Sequence, residues 1–129
     1  MHECNALQPD YRALSNCLSQ GHQNIVLSAR NVAKTLELAD QLKAKGYKVE
    51  VRTVDSSDTS SVASLITDVE KQFGSIDVLH YNAASMRKAT LAEQPRDTLV
   101  SDLAVNIGGA LAAAQAVAPK MSERGSGSI

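Results

Sequence analysis

The chain has 129 residues, of which 43% are hydrophobic and 3% aromatic, which predicts one compact domain and argues against a two-domain enzyme. Thirteen basic residues against fourteen acidic ones give a formal charge of -1, which excludes the basic surface of a general nucleic-acid binder or a polybasic membrane anchor. No apolar run approaches the ~20 residues of a membrane-spanning helix, and residues 1–10 lack the pattern of a secretory signal, so a cytoplasmic protein is expected. Cys4 and Cys17 form no Cys-x-x-Cys pair, which predicts reduced thiols.

Strand-like and helix-like segments alternate along the chain, which is typical of a parallel sheet covered by helices. The apolar triplet within residues 24–28 predicts a strand that is buried on both faces. The next helix is expected to begin at an Asn31 cap and to end at Gly46. Its predicted buried stripe consists of Val32, Leu36, Ala39 and Leu42.

The second strand, Lys48 to Val54, alternates apolar and polar residues, which places it at a half-solvated edge of the sheet. Asp58 is the expected N-cap of the following helix, and Gly74 ends it. The apolar face of that helix is predicted from helical spacing to contain Val62, Leu65, Ile66, Val69 and Phe73.

The third strand is predicted at Ile76 to Tyr81, and a long helix is predicted from Pro95 to about Arg124. Ile129 is expected to be the first residue of a further strand. Leucine and tyrosine spacing near the N-terminus predicts a helix from about Gln8 to Gln20. Residues 2–6 lack β-branched side chains, so no strand is expected there.

Polar groups follow each predicted strand at the point where the strand ends. These exits are residues 29–31, residues 55–58 and residues 82–84. Ligands of doubly wound parallel sheets bind beyond the carboxyl ends of the strands. The three exits are therefore candidate binding segments.

The chain from about Gly21 to Ile129 resembles the short-chain dehydrogenases/reductases, which bind a nicotinamide dinucleotide on a Rossmann fold. The resemblance is specific because several motifs occur in the family's order and spacing. They are residues 27–31, 54–58, 74–84, 105–108, 118–121 and 125–129. The resemblance implies an α/β fold, an incomplete Rossmann-like doubly wound parallel sheet with helices on both faces, forming a single partial NAD(P)-binding domain over residues 1–129.

The resemblance also implies a set of cofactor-binding residues and one residue of the proton relay. Arg30 would meet the 2′-phosphate of NADP, since no acidic residue ends that strand to bind a bare 2′-hydroxyl. Asp55 would bind the adenine edge, and Asn106, predicted to be buried, would hold a water in the relay. The full cofactor set is Arg30, Asn31, Asp55, Ser56, Asn82, Ala83 and Ala84.

Each of these residues also has a purely structural interpretation. Arg30 would then be a surface arginine at a helix start, and Asp55 the first residue of a turn with Ser56 and Ser57. Asn82 would close its strand as an Asx turn, and Asn106 would be a core amide paired with backbone.

Two departures from the family pattern affect the expected function. Gln8-Pro9-Asp10 stands where the family has Gly-x-Gly, so an N–H donor is lost and a carboxylate lies where phosphates would bind, which predicts weak or lost NADP binding. As part of this first departure, the family's first strand, which lies at the centre of its sheet, is also expected to be missing. The resulting gap in the sheet predicts marginal stability or self-association.

The second departure is the absence of the catalytic Ser and the Tyr-x-x-x-Lys pair that performs acid/base catalysis. None of the three tyrosines has a lysine four residues later, and the three histidines show no metal-binding spacing, so no metal is expected.

The sequence thus predicts a fragment or decayed copy of an NADP-preferring oxidoreductase, which transfers hydride between NADPH and a carbonyl or alcohol substrate and is inactive in this form. One alternative is a catalytically dead binding module that pairs with a full-length relative through the helix 95–124. Another is the product of a truncated reading frame without a cellular role. The expected partner is a small carbonyl or alcohol molecule, with no nucleic acid and no membrane, and self-association or a homo-oligomer is left open.

Overall fold

The computed structural model describes residues 3–7, residue 21 and residues 24–129. The strands in this part of the chain form one parallel sheet in the order β3-β2-β1-β4, which is the order of a doubly wound sheet. The strands are β1 (Glu3–Leu7), β2 (Asn24–Ala29), β3 (Lys48–Thr53) and β4 (Val78–Tyr81).

β1 occupies the centre of the sheet and pairs with β2 on one side and β4 on the other. The expectation that residues 2–6 form no strand, and that the sheet has a central gap, is therefore wrong. Strand propensity is a weak guide at this position, because a central strand is stabilised by backbone pairing along both of its edges. The predicted helix from Gln8 to Gln20 and the segment Gln8-Pro9-Asp10 lie outside the described residues.

Helices cover both faces of the sheet, as predicted. Helix α1 (Ala33–Ala44) packs Ala39 and Leu42 against the face that carries Ile25 and Leu27. Helix α2 (Thr59–Phe73) packs on the opposite face with four buried residues of its predicted stripe: Val62, Leu65, Ile66 and Val69. β3 lies at the sheet edge with no fully buried residue, which confirms its half-solvated placement.

The predicted helix ends are confirmed at three positions and adjusted at one. Asp58 accepts hydrogen bonds from the Ser60 and Ser61 amides, and Gly46 and Gly74 adopt positive φ angles of 92° and 99° after their helices. Asn31 Oδ1 does accept a hydrogen bond from the Ala33 amide at 3.2 Å, although the N-cap position itself is Val32.

The buried stripe of α1 differs from the prediction at Val32, which is the half-buried N-cap residue, and at Leu36. Leu36 is 47% exposed, and Thr35 is buried beside Ala39 and Leu42. A sequence stripe at helical spacing spans a wide arc, and Leu36 lies on the solvent side of that arc.

The long helix begins at Leu99 rather than at Pro95, because residues 96–98 form a bend and a turn, where the Thr98 hydroxyl donates to the Pro95 carbonyl. It contains three consecutive parts: α3 (Leu99–Leu103), a π-helical turn (Ala104–Gly109) and α4 (Ala110–Arg124). Near its end, Lys120 pairs with the buried Glu70 of α2 at 2.7 Å.

The chain after α4 returns to the sheet beside β4. Ser128 forms a parallel bridge with Val78, and the Leu79 amide donates to the Ser128 carbonyl at 2.9 Å. The bridge places Ser128 beside β4, and a strand that begins at Ile129 stays a prediction.

By length and composition, the helix Leu99–Arg124 could cross a membrane, since its most apolar 18-residue window has a mean hydropathy of 1.3. The expectation that no segment meets this test is therefore wrong. Only 17% of that window is buried, so most of this apolar segment lies at the surface, and length and composition alone are weak evidence for a membrane segment.

Candidate functional site

The carboxyl ends of β2, β3 and β4 converge on a small cavity of about 60 Å³. It brings together four of the predicted cofactor residues: Arg30, Asp55, Ser56 and Ala84. Ser85 and Val105 complete the lining, and the sequence predicted neither of them. The cavity is smaller than a typical ligand pocket of ~300–1,000 Å³, so it can hold only part of a bound molecule.

A larger cavity of about 340 Å³ lies at the other end of the sheet, between the first residues of β2 and β3 and Phe73 of α2. Its lining is mainly apolar and includes none of the predicted site residues. Because parallel sheets bind ligands at the carboxyl ends of their strands, the smaller cavity is the candidate site.

Asp55 both forms a turn and lines the candidate cavity. Its Oδ1 accepts hydrogen bonds from the Ser57 amide at 2.9 Å and from the Ser57 hydroxyl at 2.7 Å. These bonds, aided by the positive charge of Arg30, hold the pKa of Asp55 below its ordinary value. The carboxylate is therefore ionised at neutral pH, and the turn interpretation of this residue is also correct.

Arg30 and the other predicted residues differ in how they reach the cavity. Arg30 is exposed at the cavity rim, directly after β2. Asn31, Asn82, Ala83 and Asn106 do not line the cavity. Ala83 is buried, whereas Ala84 forms part of the cavity wall.

Asn106 is exposed, so the prediction of a buried amide is wrong. The π-helical turn explains the difference, because one extra residue rotates the preceding side chains by about 100° relative to an uninterrupted α-helix. Leu99 and Leu103, which were predicted to share the buried face, are 58% and 44% exposed for the same reason.

The Asn106 amide clamps the loop that follows β4. Its Oδ1 accepts from the Ser85 amide at 2.7 Å, and its Nδ2 donates to the Ser85 carbonyl at 3.2 Å. Both polar groups of the side chain are therefore hydrogen-bonded to the backbone of one loop residue.

A second clamp on the same loop involves Asp102 of α3. The Ser85 hydroxyl donates to Asp102 at 2.5 Å, and Arg87 donates to both carboxylate oxygens at 3.0 Å. These bonds, those of Arg87 first, lower the pKa of Asp102 to about 2. Sequence reasoning missed this group because the pairing spans 15 to 17 residues and follows no local motif.

The described residues contain no group of three or more His, Cys, Asp or Glu side chains suited to hold a metal ion. The residues around the cavity provide groups that can bind a ligand: an arginine fork, an ionised carboxylate, a backbone turn and small side chains that permit close approach.

A model of the short chain dehydrogenase family matches residues 12–129 of this chain. An uncharacterised oxidoreductase of Staphylococcus aureus strain USA300 is 31% identical over 117 residues, which are 91% of this chain and 50% of the relative. Gluconate 5-dehydrogenase of Gluconobacter oxydans is 32% identical over 117 residues, which are 90% of this chain and 45% of the relative. The chain thus spans about half the length of the curated relatives that it matches.

Solved structures show the same architecture. L-sorbose reductase of Gluconobacter frateurii, in complex with NADPH and L-sorbose, matches with a TM-score of 0.80 and 25% identity, over 96% of this chain and 49% of that one. A short-chain dehydrogenase/reductase of Burkholderia xenovorans matches with a TM-score of 0.84 and 19% identity, over 98% of this chain and 53% of that one. The sheet described above is therefore part of a Rossmann-type fold.

Proposed function

Because the chain belongs to the short-chain dehydrogenase/reductase family, we propose that it supplies the nucleotide-binding part of an oxidoreductase that prefers NADP to NAD. The observation that supports this most directly is the cavity shared by Arg30, Asp55, Ser56 and Ala84 at the carboxyl ends of parallel strands. The cofactor would carry hydride to or from a carbonyl or alcohol substrate, and the protein would bind and orient it.

The preference for NADP rests on the charge at the end of β2. Arg30 can present a planar fork of N–H donors to a phosphate, and no carboxylate follows β2 to bind a 2′-hydroxyl. Asp55 uses Oδ1 in its turn, so in this proposal Oδ2 accepts from the adenine amine. The solved complex of L-sorbose reductase with NADPH shows that a protein of similar structure takes the phosphorylated cofactor.

We expect this chain alone to bind NADP weakly and to catalyse no turnover. Gln8-Pro9-Asp10 stands where the family has phosphate-binding glycines, and no Tyr-x-x-x-Lys occurs in these 129 residues. Asn106 uses both of its polar groups on Ser85, so its side chain holds the loop in place. The proposal includes a single partial domain, a cytoplasmic location and a small-molecule partner.

The test compares NADP⁺ and NAD⁺ titrations of the natural chain and of Arg30→Glu. We expect an NADP⁺ dissociation constant of ~1 mM or weaker, equivalent to at most ~4 kcal/mol of binding free energy. A charged hydrogen bond contributes ~1.5–3 kcal/mol of binding free energy. Its loss in Arg30→Glu should therefore abolish a preference for NADP⁺ over NAD⁺ of about tenfold or more. Arg96→Glu, with the same charge change at an exposed residue outside the cavity, should keep the preference.

Two results would contradict the proposal. Equal affinity of the natural chain for both nucleotides would remove the role of Arg30. A micromolar dissociation constant would show that the missing glycines do not limit binding.

A second candidate function, pairing with a full-length relative, is favoured by one surface of the long helix. Four apolar side chains at helical spacing are exposed there: Val100, Leu103, Ile107 and Leu111. Such a stripe on a soluble protein is typical of an interaction surface. It is compatible with nucleotide binding at the opposite side of the same helix.

A further inference from the structure

The π-helical turn over Ala104–Gly109 lies against the carboxyl end of β4. A π-helical turn pairs its carbonyls with N–H groups five residues later instead of four, and each carbonyl oxygen has a second lone pair that can accept a further donor. The Val105 carbonyl accepts a hydrogen bond of 2.5 Å from the hydroxyl of Tyr81, the last residue of β4. A side chain of the sheet is thus hydrogen-bonded directly to the backbone of the π-helical turn.

Tyr81 is well placed to act as a permanent donor. Its ring packs against the core cluster between the sheet and the helices α2 and α4. Burial raises the pKa of the phenol above its ordinary value, with a smaller opposing effect from Ser56. The hydroxyl is therefore protonated at neutral pH, where it can donate its hydrogen bond.

Gly109 allows the turn to approach Tyr81 this closely. A Cβ atom at position 109 would overlap the Tyr81 hydroxyl and the carbonyl oxygen of Ser56. The helix, β4 and the turn after β3 therefore meet at one point, and the space there admits only glycine.

The π-helical turn positions two parts of the candidate site. Val105 lines the cavity, and the next residue, Asn106, holds the backbone of Ser85, which also lines it. A shift of the turn would move Val105 and would misalign both Asn106 hydrogen bonds.

We propose that Tyr81 is a positioning residue whose hydroxyl fixes the π-helical turn, so that Val105 and the Asn106–Ser85 pair form one wall of the nucleotide cavity. Its effect on Asn106 and Ser85 stands on geometry alone. Its effect on nucleotide affinity rests on the function proposed above.

The experiment uses Tyr81→Phe, which removes the hydroxyl and keeps the ring, with Tyr47→Phe as the matched control. Tyr47 is also a half-buried tyrosine but packs on the other face of the sheet. In the absence of nucleotide, amide NMR should show that Tyr81→Phe shifts the Ser85 backbone and Asn106 side-chain resonances. Hydrogen exchange of the Ser85 amide should accelerate by about tenfold or more, the equivalent of ~1.4 kcal/mol of local stability. Tyr47→Phe should leave both unchanged.

Unchanged Ser85 exchange in a folded Tyr81→Phe protein would overturn the proposal. If that variant does not fold, the natural chain labelled with ¹³C at the tyrosine Cζ decides the question in mixed H₂O and D₂O. Separate protonated and deuterated resonances of Tyr81 would support a held hydroxyl, and one averaged resonance would contradict it.

A nucleotide titration of Tyr81→Phe separates this proposal from the proposed function. We expect the affinities for NADP⁺ and NAD⁺ to fall together by severalfold, with their ratio unchanged, because Arg30 is untouched. If the natural chain binds neither nucleotide, the proposed function fails while the exchange measurement still decides the role of Tyr81. Normal affinity in Tyr81→Phe, with nucleotide binding established, would contradict the cavity-wall role.

Discussion

Among single residues, the two adjacent glycines of the long helix have opposite requirements. A Cβ at Gly109 meets the Tyr81 hydroxyl and a backbone oxygen, whereas a Cβ at Gly108 makes only an ordinary 3.5 Å contact with the Thr59 methyl group. The Ser56 carbonyl is backbone and cannot rotate away. The close approach at Gly109 is therefore a local constraint on which residue the helix can carry.

We expect Gly109→Ala to lower the free energy of unfolding by about 1–3 kcal/mol, because an added methyl group in a filled space forces its neighbours apart. Gly108→Ala should be neutral or stabilising by up to ~1 kcal/mol, since alanine favours helix more than glycine. Urea unfolding of both variants measures the difference. Equal stability of the two variants would contradict the packing around position 109.

The residues that meet at the cavity illustrate what a sequence can and cannot predict. Arg30, Asp55, Ser56 and Ala84 were predictable because each lies within three residues of the end of a strand, and parallel strands end at a common edge. Ser85 and Val105 were not predictable from the sequence. They reach the cavity because a hydrogen bond between Ser85 and Asn106, which are 21 residues apart, holds the loop after β4 against the long helix. Such long-range pairs leave no local periodicity.

At the scale of elements, the loop after β4 is attached to the long helix by Asp102. Its carboxylate receives hydrogen bonds from Arg87 and Ser85, and its pKa is lowered to about 2. A carboxyl group whose pKa falls on folding stabilises the fold above its unfolded pKa of ~3.9 and loses that contribution as the pH falls through its folded value. The attachment is therefore present at neutral pH and lost in strong acid.

This predicts that Asp102→Asn unfolds more easily than the natural chain at pH 5 to 7, and that the difference disappears as the pH approaches ~2. Ser85→Ala removes one of the donors to Asp102. It should raise the pKa of Asp102 part of the way to its ordinary value, because the Arg87 hydrogen bonds remain. An NMR titration of the Asp102 carboxyl carbon measures both pKa values directly. A midpoint near the ordinary value of ~3.9 in the natural chain would show that the clamp does not form.

The ends of the helices were more predictable than the face that each helix buries. Asp58, Gly46 and Gly74 mark ends by local chemistry, a side-chain cap or a positive φ angle, and all three lie where the sequence placed them. The face of the long helix was mispredicted before Gly109, because the π-helical turn adds a residue that the apolar spacing does not reveal.

For the whole molecule, β1 removes the reason for expecting a broken sheet. The central position is filled by Glu3–Leu7, which pairs on both sides, so the sheet is continuous from β3 to β4. Self-association now has a different physical basis, the exposed apolar stripe on the long helix formed by Val100, Leu103, Ile107 and Leu111.

We predict that the chain associates with itself in a concentration-dependent way and that Ile107→Lys, in the middle of this stripe, reduces the association. Leu36→Lys is the matched control, because Leu36 is a similarly exposed apolar residue on α1, away from the stripe. Sedimentation velocity over a range of concentrations measures the effect. A monomer at all concentrations, or equal loss of association in both variants, would contradict the prediction.

The most direct test of the account is an amide NMR titration of the natural chain with NADP⁺, with NAD⁺ as the comparison. The account predicts shifts confined to the carboxyl ends of β2, β3 and β4, centred on Arg30, Asp55, Ser56 and Ala84, that saturate at ~1 mM or weaker and are larger for NADP⁺ than for NAD⁺. Shifts centred instead on the larger cavity around Asn24, Lys48 and Phe73, or no shifts at all with either nucleotide, would contradict it.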